Sequence, residues 1–245
     1  MIALPADVAA VADAIAGARG AVAVALGGSR AIGTADAASD WDLALYYRGA
    51  LDVSPLERFG EVHPPGSWGR IMNGGAWLVI GGAKVDVMLR DLDVALHWSE
   101  RATRGEYEVD ALLGHLAGAP TYLLAGELAQ GAVVRGALPE APAFPDRLAV
   151  AAPARWRYHR DFSLMHARMR AERGDVAGTV GQVAKAAVEE AHAVLAGRRE
   201  WALNEKRIIE RADLAAIHDR FARAPREPAA LLDWIADVER LLAPR

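Results

Sequence analysis

Residues 26–47 read LGGSRAIGTADAASDWDLALYY, and this stretch decides the fold of the first half of the chain. Ten residues separate a Gly-Gly-Ser turn from Asp40, which opens an apolar segment typical of a buried strand. Side chains alternate along a strand, so Asp40 and Asp42 share one face while Trp41 and Leu43 share the other. Two carboxylates at the start of a buried strand need a compensating partner, which makes this segment the first candidate for a functional site.

The neighbouring segments extend this prediction to a sheet. AVAVAL (21–26) is a short apolar run that ends at the glycines, and residues 76–82 and 83–91 are predicted to be antiparallel strands joined by a glycine turn. In the second of these strands Asp86 lies between two valines, which face the opposite side. Adjacent strands would therefore gather three carboxylates on one patch.

Three carboxylates on one patch repel each other. At an effective dielectric constant near 20, two carboxylates about 5 Å apart repel by roughly 3 kcal/mol, which is large for a domain that is stable by about 5–15 kcal/mol. Protonation would relieve the repulsion, and so would a divalent cation bound by oxygen ligands. Magnesium suits two or three carboxylates plus substrate phosphates. The glycines of the turn would let backbone N–H groups approach such a phosphate closely.

Composition excludes several classes of protein. The 245 residues include no cysteine, which rules out disulfides, thiolate nucleophiles and cysteine-bound zinc and favours the cytoplasm as the compartment. The formal net charge of −4 argues against nonspecific nucleic-acid binding. The N-terminal segment lacks a basic region, and no apolar run reaches the roughly 18 residues of a membrane span, so we expect neither a signal peptide nor a membrane partner.

A proline-rich segment divides the remaining sequence. LPEAPAFP (138–145) is the best linker candidate, and the strand signals stop after it. We therefore predict an α/β (α+β) domain over 1–140 and a helical bundle over 141–245. Three further segments have expected structures: a strand at 69–73, a helix at 121–136 and a helix at 204–223.

The spacing of these motifs resembles that of the DNA polymerase β-like nucleotidyltransferase superfamily. Its signature is an apolar residue and Gly-Gly/Ser, a short spacer, then Asp-apolar-Asp/Glu-apolar, which GS at 28–29 and DWDL at 40–43 match. The third carboxylate of that family, on a later strand, matches Asp86. The combination is specific, whereas an Asp-x-Asp pair alone is not, because the chain has another at 91–93. A short palm with a mixed or antiparallel sheet, followed by a helical bundle, looks most like the antibiotic nucleotidyltransferases of aminoglycoside and lincosamide type.

The resemblance implies roles for the residues of the motif. Gly28 and Ser29 would contact the triphosphate of a bound nucleotide. Asp40 and Asp42 would hold two Mg²⁺ ions, and Asp86 would be a ligand of the catalytic ion or the base that takes the acceptor's proton. Metal ions of this kind bridge the attacking oxygen, the α-phosphate and the leaving pyrophosphate in an in-line displacement.

Two residues depart from the family pattern. Trp41 is bulkier than the usual aliphatic residue, and Arg30 places a charge directly after the serine. Arg30 is a candidate for nucleotide binding because it could reach the γ-phosphate. It could equally pair with Asp36, and the sequence leaves both interpretations open.

The helical half contributes further candidates. Lys185 and Glu189 are four residues apart and therefore share one face of a helix. An ordinary surface ion pair is one interpretation of this spacing. In the antibiotic enzymes that the chain resembles, a lysine of the helical domain touches phosphates and an acid can serve as base. Lys185 is thus a nucleotide-binding candidate and Glu189 a catalytic one, with Glu190 and Asp86 as competing candidates for the base.

The expected function is magnesium-dependent transfer of a nucleoside monophosphate, AMP above all, from ATP or another nucleoside triphosphate to a hydroxyl of a small molecule such as an aminoglycoside-like antibiotic. A second hypothesis is an enzyme that adds AMP to a partner protein, as in some toxin–antitoxin pairs. A third is a non-catalytic nucleotide-binding module. The identity of the acceptor, the base of the nucleotide and the oligomeric state are not readable from the sequence, and a homodimer is suggested by analogy alone.

Overall fold

The computed structural model describes residues 3–36, 39–141 and 143–243. Within these ranges the main sheet has five strands in the order β3-β4-β2-β1-β7, and β5 and β6 form a small separate pair. β2 and β4 run parallel, whereas the other neighbours in the main sheet are antiparallel. The strands are β1 (Ala21–Leu26), β2 (Trp41–Tyr47), β3 (Gly74–Ile80), β4 (Ala83–Asp91), β5 (Val109–Asp110), β6 (Ala119–Pro120) and β7 (Ala132–Gly136).

The helices vary widely in length. They are α1 (Ala6–Ala16), α2 (Gly28–Ala31), α3 (Ser54–Glu57), α4 (Gly69–Met72), α5 (Leu92–Thr103), α6 (Leu123–Gln130), α7 (Asp146–Ala171), α8 (Val176–Gly197), α9 (Ile208–Arg211), α10 (Ile217–Phe221) and α11 (Pro228–Leu242). None of the helices in the described ranges is both long enough and apolar enough to cross a bilayer.

The inner face of the main sheet forms a hydrophobic core with α1. Val8, Val11 and Ile15 recur at helical spacing on α1 and belong to the same buried cluster as Leu43 and Leu45 of β2. Burying a side chain of this size contributes about 1.5–3 kcal/mol. The alternation of β2 is therefore fixed, because a slip of one residue would move its leucines into solvent.

The outer face of the same strands carries the acidic residues. In β4, Val85 and Val87 are fully buried, whereas Asp86 between them is only partly buried. In β2, Asp42 is likewise partly buried beside the fully buried Leu43. The core thus holds both aspartates on the side of the sheet that α1 does not cover.

The chain divides into two compact units. The first contains the described residues of 1–100 and 124–143, and the second contains those of 101–123 and 144–245. The domain boundary expected after residue 140 stays a prediction, because a compact unit is a group of residues in mutual contact and not a demonstrated independent domain. Pro142 of the expected linker lies outside the described residues, and the other residues of 138–145 belong to no helix or strand.

In the second unit, α7 and α8 pack along each other. The fully buried Trp156 of α7 donates a hydrogen bond from Nε1 to the hydroxyl of Tyr122 (2.9 Å), so its polar atom is satisfied. Asp175 caps α8 by accepting a hydrogen bond from the backbone N–H of Gly178 (2.9 Å), and this bond lowers the pKa of the Asp175 carboxyl.

The predicted fold class is confirmed, because a mixed sheet in an α/β arrangement is followed by helices. The strand expected at 69–73 is wrong, since Gly69–Met72 forms α4. It ends at Asn73, whose φ of 64° is incompatible with a continuing helix.

Two expected helices are also incorrect in part. The helix expected over 121–136 ends at Gln130, and the following residues form β7, which pairs with the edge of β1 and satisfies its backbone groups. The helix expected over 204–223 consists of the short α9 and α10, separated by Asp213 with a left-handed φ of 59°.

Candidate active site

The register of the parallel strands β2 and β4 brings two of the predicted acids together. Asp42 and Asp86 are Cα partners in this register. Side chains of partner residues on parallel strands point to the same face, and neighbouring strands lie about 4.8 Å apart. The two carboxyl groups therefore share one small, partly buried area of the outer face.

The glycine turn packs directly against one of these acids. The backbone N–H of Gly27 donates a hydrogen bond to the carbonyl oxygen of Asp42 (2.8 Å), which fixes the end of β1 beside the start of β2. Gly28 has a left-handed φ of 60°, and a Cβ atom added there would lie 1.8 Å from Oδ2 of Asp42. A side chain at position 28 would therefore displace the carboxylate of Asp42. Ser29 follows it within α2 and is partly buried.

Asp40 lies just before β2, two residues ahead of Asp42. Within the parts of the chain that the structure describes, no group of three or more histidine, aspartate or glutamate residues is arranged to hold a metal ion. Magnesium, however, is commonly held by one or two carboxylates together with substrate phosphates. The pair of Asp42 and Asp86 fits that requirement, and the role of Asp40 as a further ligand stays a prediction.

Arg30 is bound to the start of β2. Its guanidinium lies over the ring of Trp41, with Cζ 4.1 Å from the ring centroid. Its Nε donates to the carbonyl of Asp40 (3.1 Å) and its Nη2 to the carbonyl of Ser39 (2.6 Å). Arg30 and Trp41, the two residues that depart from the family pattern, therefore contact each other. A contact of Arg30 with nucleotide stays a prediction.

The candidates of the helical half form a buried group within the second unit. Nζ of Lys185 pairs with the carboxylate of Glu189 and donates to Oγ of Ser163 (3.4 Å). Glu189 is fully buried, and this burial raises the pKa of its carboxyl against the opposing effect of the two hydrogen-bonded groups. A raised pKa brings a carboxylate closer to the range in which a general base works well.

Glu190 has a different environment from its neighbour. It is 2% exposed and forms ion pairs with Arg157 (3.2 Å) and Arg160 (2.5 Å). Removing one partner of such a buried group leaves an uncompensated charge and is strongly destabilising. This pairing favours a structural role for Glu190, and a catalytic role for the equally buried Glu189 stays a prediction.

An aromatic cluster beside the acids was not predicted from the sequence. Trp77 of β3 is the Cα partner of Asp86, and its ring stacks on that of Trp68 with centroids 4.6 Å apart. His63 adds a third ring. A signal for Trp77 was present in the chain, since the two-residue turn Gly81-Gly82 fixes the β3–β4 register and sets Trp77 opposite Asp86.

Comparisons with known proteins leave the family of the chain open. No protein-family model matches it, and no curated protein matches it. Among solved structures, the chain is similar to a nucleotidyltransferase-like protein from Exiguobacterium sibiricum, with a TM-score of 0.45 and 11% sequence identity over 91% of this chain and 68% of that chain. A likeness at this level does not assign a family, so the function is argued from the residues themselves.

Proposed function

We propose that the protein is a nucleotidyltransferase that moves a nucleoside monophosphate, AMP above all, from a nucleoside triphosphate to a hydroxyl of a small-molecule acceptor. The observation that supports it most is the in-register pair of Asp42 and Asp86 with Gly28 packed against one of them. Two adjacent carboxylates suit Mg²⁺ that is bound together with substrate phosphates, and an exposed glycine turn lets backbone N–H groups approach those phosphates.

Mg²⁺ would be held by Asp42 and Asp86, with Asp40 as the additional ligand that the family resemblance implies for a second ion. When bound, the metal would stabilise negative charge at the reacting phosphate as a Lewis acid.

The chain's own residues supply the remaining steps. The exposed backbone of the turn at Gly28 can approach the triphosphate closely, and Ser29 lies next to it as a hydrogen-bond donor. A carboxylate oxygen of Asp86 takes the proton of the acceptor hydroxyl, the oxygen of that hydroxyl bonds to the α-phosphorus, and the bond from the α-phosphorus to pyrophosphate breaks. The roles of Glu189 as an alternative base and of Lys185 as a phosphate contact stay predictions from the family resemblance. Holding the reactants in line accounts for much of the rate of such a reaction.

The decisive experiment replaces Asp42 and Asp86 with asparagine, one at a time. The wild-type chain is incubated with Mg²⁺ and labelled ATP against aminoglycosides, lincosamides and lysate proteins, and transfer of the label is measured. Each variant is expected to lose about a hundredfold or more in transfer rate, because it removes a carboxylate that would hold the Mg²⁺ that stabilises the charge of the transition state. Circular dichroism is expected to show an unchanged fold.

Asp93→Asn is the matched control, because Asp91 and Asp93 form the second Asp-x-Asp pair of the chain. Oδ1 of Asp91 accepts hydrogen bonds from the backbone N–H groups of Asp93 (2.9 Å) and Val94 (3.3 Å), and Asp93 pairs with Arg48 (2.9 Å). The control is expected to retain activity. Full activity in Asp42→Asn rejects the proposal, label on a protein indicates the AMP-adding alternative, and nucleotide binding without transfer indicates a non-catalytic module.

A further inference from the structure

Three aromatic rings form a cluster on the outer edge of the main sheet. Trp68 and Trp77 stack with an angle of 28° between their planes, and the ring of His63 lies 5.1 Å from the first and 5.3 Å from the second. Trp77 is 62% exposed. A tryptophan that is stacked on one neighbour and still largely accessible presents a preformed flat surface to a ligand.

The backbone holds this cluster in place. His63 and Gly75 exchange two hydrogen bonds, N–H of His63 to the carbonyl of Gly75 (2.8 Å) and N–H of Gly75 to the carbonyl of His63 (2.9 Å). A Cβ atom added at Gly75 would lie 2.0 Å from the backbone oxygen of Val87 and 2.7 Å from Cζ3 of Trp68, so the absence of a side chain makes room both for β4 and for that ring. The backbone of His63 and Gly75 therefore fixes the positions of the rings in the cluster.

The strand order places the cluster on a particular side of the acids. Trp77 lies opposite Asp86, Asp86 lies opposite Asp42, and Gly27 at the end of β1 bonds to Asp42. Each step crosses one strand spacing of about 5 Å. The glycine turn and the aromatic cluster thus lie on opposite sides of the carboxylate pair. If the triphosphate lies at the turn, the side toward Trp77 is the one left for the other reactant.

We propose that the cluster of His63, Trp68 and Trp77 binds a hydroxylated, saturated ring of the acceptor. This inference rests on the proposed function and names the acceptor side of the same site. A ring stacked on Trp77 sets its substituents about one strand spacing from Asp86, within reach of the carboxylate that takes the proton.

The charges of the site define the chemistry of this ligand. The face of a tryptophan ring is electronegative and attracts C–H groups and ammonium groups. A hydroxyl group at the edge of the ring can donate a hydrogen bond to a carboxylate oxygen of Asp86. The ligand is therefore neutral or cationic, with an apolar C–H face and hydroxyl groups at its edge, as in a sugar or amino-sugar ring.

Saturation-transfer NMR tests the proposal without any turnover. The full chain is mixed at millimolar concentration with methyl β-glucoside, glucosamine or adenosine as probes. Ring protons of the two sugars are expected to receive saturation in the wild type, and Trp77→Ala is expected to weaken their binding about tenfold, since a lost stacking partner is worth up to about one decade in affinity. Trp77→Phe should retain most of the binding.

Val79→Ala is the matched control, because Val79 lies on the same face of β3, is 70% exposed and takes no part in the cluster. It is expected to bind the sugars as the wild type does. Binding of Mg²⁺ and a non-hydrolysable ATP analogue is titrated separately in each variant and is expected to be unchanged. If sugars bind at Trp77 while the nucleotide does not bind at all, the proposed function fails and this subsite stands.

Three outcomes overturn the inference. Sugar binding that is equal in Trp77→Ala and in the wild type shows that the cluster is only structural. Adenosine binding that depends on Trp77, with no sugar binding, assigns the cluster to the nucleobase. The absence of saturation transfer to every probe in the wild type shows that no such ring binds.

Discussion

Replacing Gly28 with alanine tests the contact on which the candidate site depends. The new methyl group would occupy a position 1.8 Å from Oδ2 and 2.7 Å from Cγ of Asp42. No carbon atom approaches an oxygen so closely without a bond, so the carboxylate of Asp42 must rotate away. Gly28→Ala therefore displaces an acid of the site without changing its charge.

Gly28→Ala is expected to affect both the stability of the protein and its function. The left-handed φ of 60° costs an alanine about 1–2 kcal/mol relative to glycine, which corresponds to a loss of about 2–8 °C in Tm for a chain of this length. The displacement of the carboxylate by about 1 Å acts on function, where a misplacement of that size costs about a hundredfold. We expect a mildly destabilised protein with a large functional loss.

Calorimetric titration of Mg²⁺ and a non-hydrolysable ATP analogue measures this loss, and thermal unfolding measures the stability. Gly33→Ala is the matched control, because Gly33 has a similar φ of 74° and no atom within 4 Å of the added Cβ position. It carries the same backbone strain without the collision. We expect both variants to lose similar Tm, and only Gly28→Ala to lose nucleotide affinity or transfer activity. Equal affinity in the two variants would refute the importance of the contact with Asp42.

Two further predictions concern stability. Arg90 is 1% exposed and forms a bidentate pair with Glu127 (2.5 and 2.7 Å), so Arg90→Met should cost about 3 kcal/mol in urea unfolding by leaving an acid without its partner. Burial, together with the charges of His115 and Arg211, lowers the pKa of His192 to about 3. The folded state therefore binds fewer protons than the unfolded state between pH 6.5 and pH 3, and stability falls on acidification through this window by up to about 1.4 kcal/mol per pH unit. His192→Gln should flatten that dependence in urea unfolding at several pH values, whereas an unchanged slope would contradict it.

The sequence predicts the main elements of the site because their signals are local. Period-two alternation identifies the strands around Asp42 and Asp86, and glycines mark the turns. The parallel pairing of β2 with β4 is not local, because the strands are separated by about 35 residues that include β3. Register between such strands depends on side-chain packing in three dimensions. The sequence therefore suggests that Asp42 and Asp86 lie on neighbouring strands, but it does not predict the β2–β4 register that makes them partners.

The errors have identifiable physical causes. A helix was expected through Gly131, but the edge of β1 offered backbone partners to Ala132–Gly136, and strand pairing overrode a weak helical pattern. The strand expected at 69–73 is too short for alternation to be decisive, and Asn73 adopts a left-handed conformation that the sequence does not announce. The position of Trp77 could have been predicted, since the two-residue turn between β3 and β4 sets the register that pairs Trp77 with Asp86.

Arg30 and Trp41 depart from the family motif, but their contact with each other stabilises the segment that carries the motif. The guanidinium lies on the Trp41 ring and donates through Nε and Nη2 to backbone carbonyls just before β2. These contacts tie α2 to β2, so the glycine turn is held beside Asp42 from both ends. Arg30 thus positions the turn through both its planar face and its nitrogens, whereas a lysine, with one nitrogen and no planar surface, could not form the stack and both hydrogen bonds.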